Sequence, residues 1–87
     1  MRKRYLIVLK KFFHDALARC KRRQEATQAQ MARLLEMDQR SYVDLDHGIS
    51  CCSGLTLARF LIYCCDDPLL FLENLRIEFE RAEQDET

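Results

Sequence analysis

Thr27 to Gly48, TQAQMARLLEMDQRSYVDLDHG, is the stretch whose reading decides the fold. Thr27 is placed to cap a helix, and Gln30, three residues on, is placed to reach back to the cap residue's own N–H. Met31, Leu34 and Leu35 then recur at i, i+3 and i+4 as an apolar stripe, while Gln28, Gln30 and Arg33 point elsewhere. Asp38 caps a second helix, Tyr42 and Leu45 form its buried edge, and Gly48 stands where a left-handed residue commonly ends one. The expectation is two short helices joined by a tight corner, the second presenting polar side chains outward. Helices of this length cannot bury their stripes alone, so flanking helices are required.

Outward from that stretch the chain supplies them. Met1 to Gln24 reads as an amphipathic helix, with Leu6, Leu9, Phe13, Leu17 and Cys20 at helical spacing and Lys10, Lys11, Arg19 and Arg22 on other faces. The run YLIVL alone would suit a strand, but no second strand-like run exists to pair with it. Beyond Gly48, Ser53 caps a helix carrying Leu57, Phe60, Leu61 and Cys64 on one face. Asp66-Asp67-Pro68 then stops it and starts the next, with Asp67 as cap and Pro68 at the first helical position. The last helix places Leu69, Leu72, Leu75 and Phe79 along one side, with Leu70, Phe71 and Ile77 off it. Residues 80–87 turn acidic and read as a frayed tail. Ile7, Val8 and Phe12 at one end, and the surplus apolar residues at the other, exceed what one small core absorbs. A homodimer through the N-terminal and C-terminal helices is therefore expected.

Composition agrees. With 87 residues, 48% of them apolar, two glycines and one proline, the chain suits a single all-α domain of five helices over residues 1–87, its first and last helices extended. No apolar run approaches the roughly 20 residues that span a bilayer. The opening MRKRYLIVLKKFF is too short and too soon recharged for a secretory signal, so a cytoplasmic protein with no membrane partner is expected. The net charge of zero hides a division: residues 1–40 carry eleven Lys and Arg against four Asp and Glu, and residues 41–87 three against ten. A basic half of this kind suits phosphates or the acidic half of a partner, and composition leaves the two level.

The central stretch resembles the helix-turn-helix of the lambda-repressor-like (Xre/Cro) family. The resemblance is carried by Thr27-Gln28, the apolar-Ala pair Met31-Ala32, the turn Glu36 to Asp38, the helix Gln39 to Asp46, and Asp46 two before Gly48. It extends from about Leu17 to Leu72 and implies a five-helix DNA-binding domain. It also implies that the helix 39–46 enters the major groove of double-stranded DNA with Gln39, Arg40, Ser41 and Asp44 turned to the bases. Arg40 could fork onto a guanine, Gln39 onto an adenine, and Asp44 could accept from cytosine or repel phosphate. Gln28 matches the family's phosphate-clamping position, and His47 falls where the family approaches the DNA backbone. A helix-one Arg in the family often pairs with the acid closing the recognition helix. Lys21 and Asp46 stand at those positions as weaker versions, so the expectation is a pair that is water-bridged or absent.

Two features depart from the pattern. Glu36 stands where the family commonly has Gly, because the backbone turns there through a left-handed conformation at a cost of about 1 kcal/mol for other residues. The loop Ile49 to Ser53 also carries no charge where the family often supplies phosphate-touching Lys, Arg or Asn. Weak, salt-sensitive binding by a monomer follows, with two half-sites on a dimer needed.

Cys20 and Cys64 read as small apolar core residues. The vicinal pairs Cys51-Cys52 and Cys64-Cys65 lack the spacing that wraps zinc, and an odd count of five argues against a disulfide framework. No metal or cofactor is expected. No glycine-rich phosphate loop exists, and His14 and His47 have no catalytic neighbours in the sequence, so an enzyme is not expected. The reading is a sequence-specific DNA-binding transcriptional regulator, a repressor. Its rival is a protein-interaction module, an antitoxin-like partner, that keeps the fold without strong DNA binding.

Overall fold

Each helix start anticipated from a capping residue is present. The computed structural model describes residues 2–84, in which five helices follow one another with no strand among the described residues: α1 (Arg2–Gln24), α2 (Gln28–Leu34), α3 (Gln39–Asp46), α4 (Gly54–Tyr63) and α5 (Pro68–Gln84). Thr27 and Gln30 form a reciprocal capping box, Gln30 N–H donating to Thr27 Oγ1 at 3.1 Å and Thr27 N–H to Gln30 Oε1 at 2.8 Å. Asp38 accepts from the Ser41 N–H at 2.8 Å, Ser53 from Thr56 N–H at 3.1 Å, and Asp67 from Leu70 N–H at 3.0 Å. These bonds satisfy N–H groups that the helices cannot satisfy internally.

The first three helices end in one shared way. Glu25, Glu36 and Gly48 have φ of 51°, 52° and 73°. The residue after each donates back across the turn: Ala26 to Lys21 O, Met37 to Ala32 O, and Ile49 to Asp44 O. This closure occupies carbonyls left open at a helix end. Gly48 makes it without strain, whereas Glu25 and Glu36 each carry the left-handed penalty of about 1 kcal/mol. The turn at Glu36 was expected; the one at Glu25 was not, because nothing in Gln24-Glu25-Ala26 marks it.

The core gathers Phe13, Ala16, Leu17 and Cys20 of α1, Met31 and Ala32 of α2 with the following Leu35, Tyr42 and Leu45 of α3, Phe60 and the adjoining Cys64 from α4, and Phe71 and Leu75 of α5. Four aromatic pairs organise it: Phe13 with Phe60, Phe60 with Phe71, Phe12 with Phe71, and Tyr5 with Phe79, their ring centroids 5.0 to 5.6 Å apart. These distances suit the edge-on contacts aromatic rings prefer.

Two expectations about the stripes fail. Leu6 is 49% exposed. Tyr5 takes the contact with α5, and a residue about 100° further round the helix turns away from it. On α5, Leu69 and Leu72 are exposed, while Phe71 and Leu75 are buried and Phe79 packs against them. That helix carries two apolar stripes, and the ring contacts of Phe71 select the 71, 75, 79 one. The segment expected to fray stays helical through Gln84, where Glu83 accepts from the Tyr5 hydroxyl at 2.6 Å; residues 85–87 lie outside the described residues. No helix among the described residues is long and apolar enough to cross a membrane.

Candidate nucleic-acid interface

Asp46 fixes the attitude of α3. Its Oδ2 accepts from Lys21 Nζ of α1 and Gln28 Nε2 of α2, both at 3.1 Å, and its Oδ1 lies 3.4 Å from the Tyr42 hydroxyl. One carboxylate thus ties three helices together. Burial by itself would raise its pKa, but the hydrogen bonds from Gln28 and Lys21, with the charge of Lys21, outweigh that and hold the carboxyl below its ordinary value. Tyr42 shifts the opposite way: burial first, then the neighbouring Asp46 charge, push its phenol up and keep it a donor. The Lys21 to Asp46 pair, expected to be water-bridged or absent, is instead direct, its side chains 29% and 12% exposed, because the packing of α1 against α3 brings the shorter side chains within reach.

A second tie closes the α2–α3 corner. Arg59 of α4 donates through Nε and Nη2 to Leu34 O at 3.2 and 3.0 Å, and its Nη1 lies 3.6 Å from Glu36. The guanidinium therefore meets an open C-terminal carbonyl of α2 and the carboxylate of the strained residue beside it. Its face lies over the Tyr63 ring at 4.6 Å. Sequence reasoning missed Arg59, because a single Arg on a helix gives no sign of a carbonyl 25 positions earlier.

Held in this way, α3 exposes Gln39, Arg40, Ser41, Asp44 and His47. Arg40, Asp44 and His47 recur at i, i+4 and i+7 and so form one outward stripe, with half-buried Val43 beside it. Ser41 turns off that stripe: its Oγ donates to Asp38 Oδ2 at 2.9 Å, and it lines a hollow with Met37, Asp44 and the loop residues Ser50 to Ser53. The Asp38 carboxylate is lowered from its usual range by the backbone and hydroxyl hydrogen bonds from Ser41. Gln28 is half-buried and donates one amide N–H to Asp46, which leaves the second N–H of the amide for any other acceptor. A half-buried carboxylate at the end of α3 competes for that amide at close range.

His47 meets residues far away in sequence. It shares an open cleft of about 330 Å³ with Lys10, Lys11, His14, Ile7 and Gly48. His14 has Asp15 Oδ1, of the residue next to it in the chain, 3.3 Å from its Nδ1. The charge division is partly satisfied within the chain too: Arg23 of the basic half lies 3.2 Å from Asp66 of the acidic half, in addition to Lys21 with Asp46.

All five cysteines are free. Cys20 and Cys64 are buried as expected, the Cys20 thiol donating to Cys64 O at 3.3 Å. Burial pushes the Cys64 thiol up to about 11 and Cys52 up to about 12, so neither is a ready thiolate. Among the described residues no group of three or more His, Cys, Asp and Glu side chains is arranged to hold a metal ion. No protein-family model, curated protein or solved structure matches this chain.

Proposed function

We propose that this protein is a sequence-specific DNA-binding transcriptional regulator of the lambda-repressor-like class, a cytoplasmic repressor that lays α3 in the major groove of double-stranded DNA. One observation carries the reading: α3 is clamped from behind by Asp46 while its outward stripe Arg40, Asp44 and His47 stays exposed. A rigid helix with a free polar face is what base-edge recognition requires. Arg40 and Gln39 read bases from the first turn, and Asp44 discriminates by accepting or repelling.

A homodimer presents two such helices to two half-sites. Leu6 on α1 and Leu69, Leu72 and Ile77 on α5 are apolar and exposed, and they supply its interface. A second reading is favoured by a different observation. Leu55 and Ile62 of α4 are 71% and 68% exposed and belong to a helix other than α3, and an antitoxin-like interaction module would use them against another protein.

Fluorescence anisotropy against a pool of short genomic duplexes, at low and moderate salt, tests the first reading. A tight subset survives moderate salt, and Arg40→Ala or Gln39→Ala abolishes the preference while the circular dichroism spectrum and melting temperature stay unchanged. Unchanged preference in both variants removes those residues from the readout. Absence of any preferred subset favours the interaction module.

A further inference from the structure

We propose that the cleft between α1 and the C-terminal end of α3, lined by Lys10, Lys11, His14 and His47, binds the phosphodiester backbone of a duplex. The inference rests on the DNA-binding reading of α3 and adds a separate site to it. The loop Ile49 to Ser53, next to the recognition helix, carries no charge, so an interface built from the loop and α3 alone has few cations to set against phosphate. The fold brings them from elsewhere. Lys10 and Lys11 reach the end of α3 from more than thirty positions earlier, and among the described residues neither has an ion-pair partner.

The cleft is continuous with the reading face. His47 belongs to both, as the last member of the stripe Arg40, Asp44, His47 and as a wall of the cleft. A backbone running along the groove edge therefore leaves the bases at Arg40 and meets the lysines beyond His47. The opposing carboxylates are Asp15, which lies against His14, Glu78, which with Asp15 lines a neighbouring hollow that Lys11 also borders, and Asp44 on the stripe. Gly48 packs beside the His14 ring, where a β-carbon would make ordinary contact at 3.5 Å, and its φ of 73° rather than lack of space favours glycine there. Lysines serve here as point charges toward phosphate, which carries no sequence information, so the cleft contributes affinity and register and leaves specificity to α3.

The test combines salt dependence with a direct probe. Anisotropy titrations with a preferred and a random duplex are run from 50 to 200 mM salt for the wild type, Lys10→Ala/Lys11→Ala and Lys10→Arg/Lys11→Arg. Each lost phosphate contact lowers the slope of log K against log salt by about 0.9. The alanine pair is expected to reduce the slope by about 2 and weaken both duplexes alike, while the arginine pair restores binding. In the wild type, the amide signals of Lys10, Lys11, His14, His47 and Gly48 shift on addition of the random duplex, and more weakly with inorganic phosphate. A preference that persists with an unchanged slope in the alanine pair overturns the cleft and leaves the α3 reading intact. Loss of slope without any sequence preference overturns the α3 reading and leaves the cleft standing. Cleft signals that respond to protein concentration and not to duplex assign it instead to the acidic α5 of a second copy, and overturn the proposal.

Discussion

The α2–α3 corner and the α1–α5 pair share one apolar core but differ in the balance of forces that holds them. Between α1 and α5 the contacts are rings: Tyr5 on Phe79 and Phe12 on Phe71, with Phe60 joining Phe71 to Phe13. At the corner, buried Met31, Leu35, Tyr42 and Leu45 are supplemented by directional polar bonds, from Lys21, Gln28 and Tyr42 to Asp46 and from Arg59 to Leu34 O. Apolar burial is strong and non-directional, so it brings long helices together. Hydrogen bonds contribute less free energy but fix angles, and a short helix that must present one face needs its angle fixed. The molecule thus divides the work between a pair of helices that supplies cohesion and a corner that supplies orientation.

Removing a ring from the first region should have the largest effect. Phe60 is 2% exposed and touches both Phe13 and Phe71. Phe60→Ala is expected to cost about 3–5 kcal/mol, a large part of the stability of so small a domain, read as a fall in the denaturant midpoint. If the loss is under about 1 kcal/mol, the aromatic cluster is not what holds the helices together.

Breaking the second region should cost less and should depend on pH. Asp46→Asn removes the charge that Lys21 and Gln28 hold, and is expected to cost about 1–3 kcal/mol at neutral pH. The sign follows from the depressed carboxyl. A group whose folded-state pKa lies below its unfolded value stabilises fully above the unfolded value, about 4, and loses that contribution as pH falls through the folded one. The wild type therefore loses stability below about pH 4, and Asp46→Asn flattens that loss. Asp38, lowered in the same direction by Ser41, leaves a remainder in the variant. Melting temperatures between pH 2 and 7 measure both; parallel curves for the two proteins would show that Asp46 is not a clamp.

The smallest effect sharpens the comparison. Glu36→Gly relieves the left-handed penalty of about 1 kcal/mol and gives up an exposed ion pair with Arg59 worth less than that. A net gain of about 0.5 kcal/mol is expected from urea unfolding. A clear loss would mean that the Arg59 bridge, rather than the strain, dominates at this corner.

Much of the local structure was readable without coordinates. Thr27, Asp38, Ser53 and Asp67 cap helices because a cap needs only a short polar side chain and the N–H groups two or three residues on. Gly48 was readable as left-handed from its place at a helix end and Glu36 from the resemblance to the helix-turn-helix pattern, and Gln39 to Asp46 as an exposed helix from its spacing. Leu6, Leu69 and Leu72 were misplaced because periodicity names every apolar stripe a helix carries and cannot say which stripe finds a neighbour. That choice belongs to ring packing between residues about sixty positions apart, such as Phe12 and Phe71.

The candidate site divides along the same line. Sequence by itself determined which residues α3 exposes, since exposure on a short amphipathic helix follows from its own spacing. Only the tertiary structure decided that Gln28 donates to Asp46, that Arg59 braces the corner, and that Lys10, Lys11 and His14 stand beside His47. The physical reason is range. A cap or a stripe is settled within a turn or two of helix, whereas a salt bridge or a cationic cleft requires the chain to return, and the return is set by the packing of the whole core.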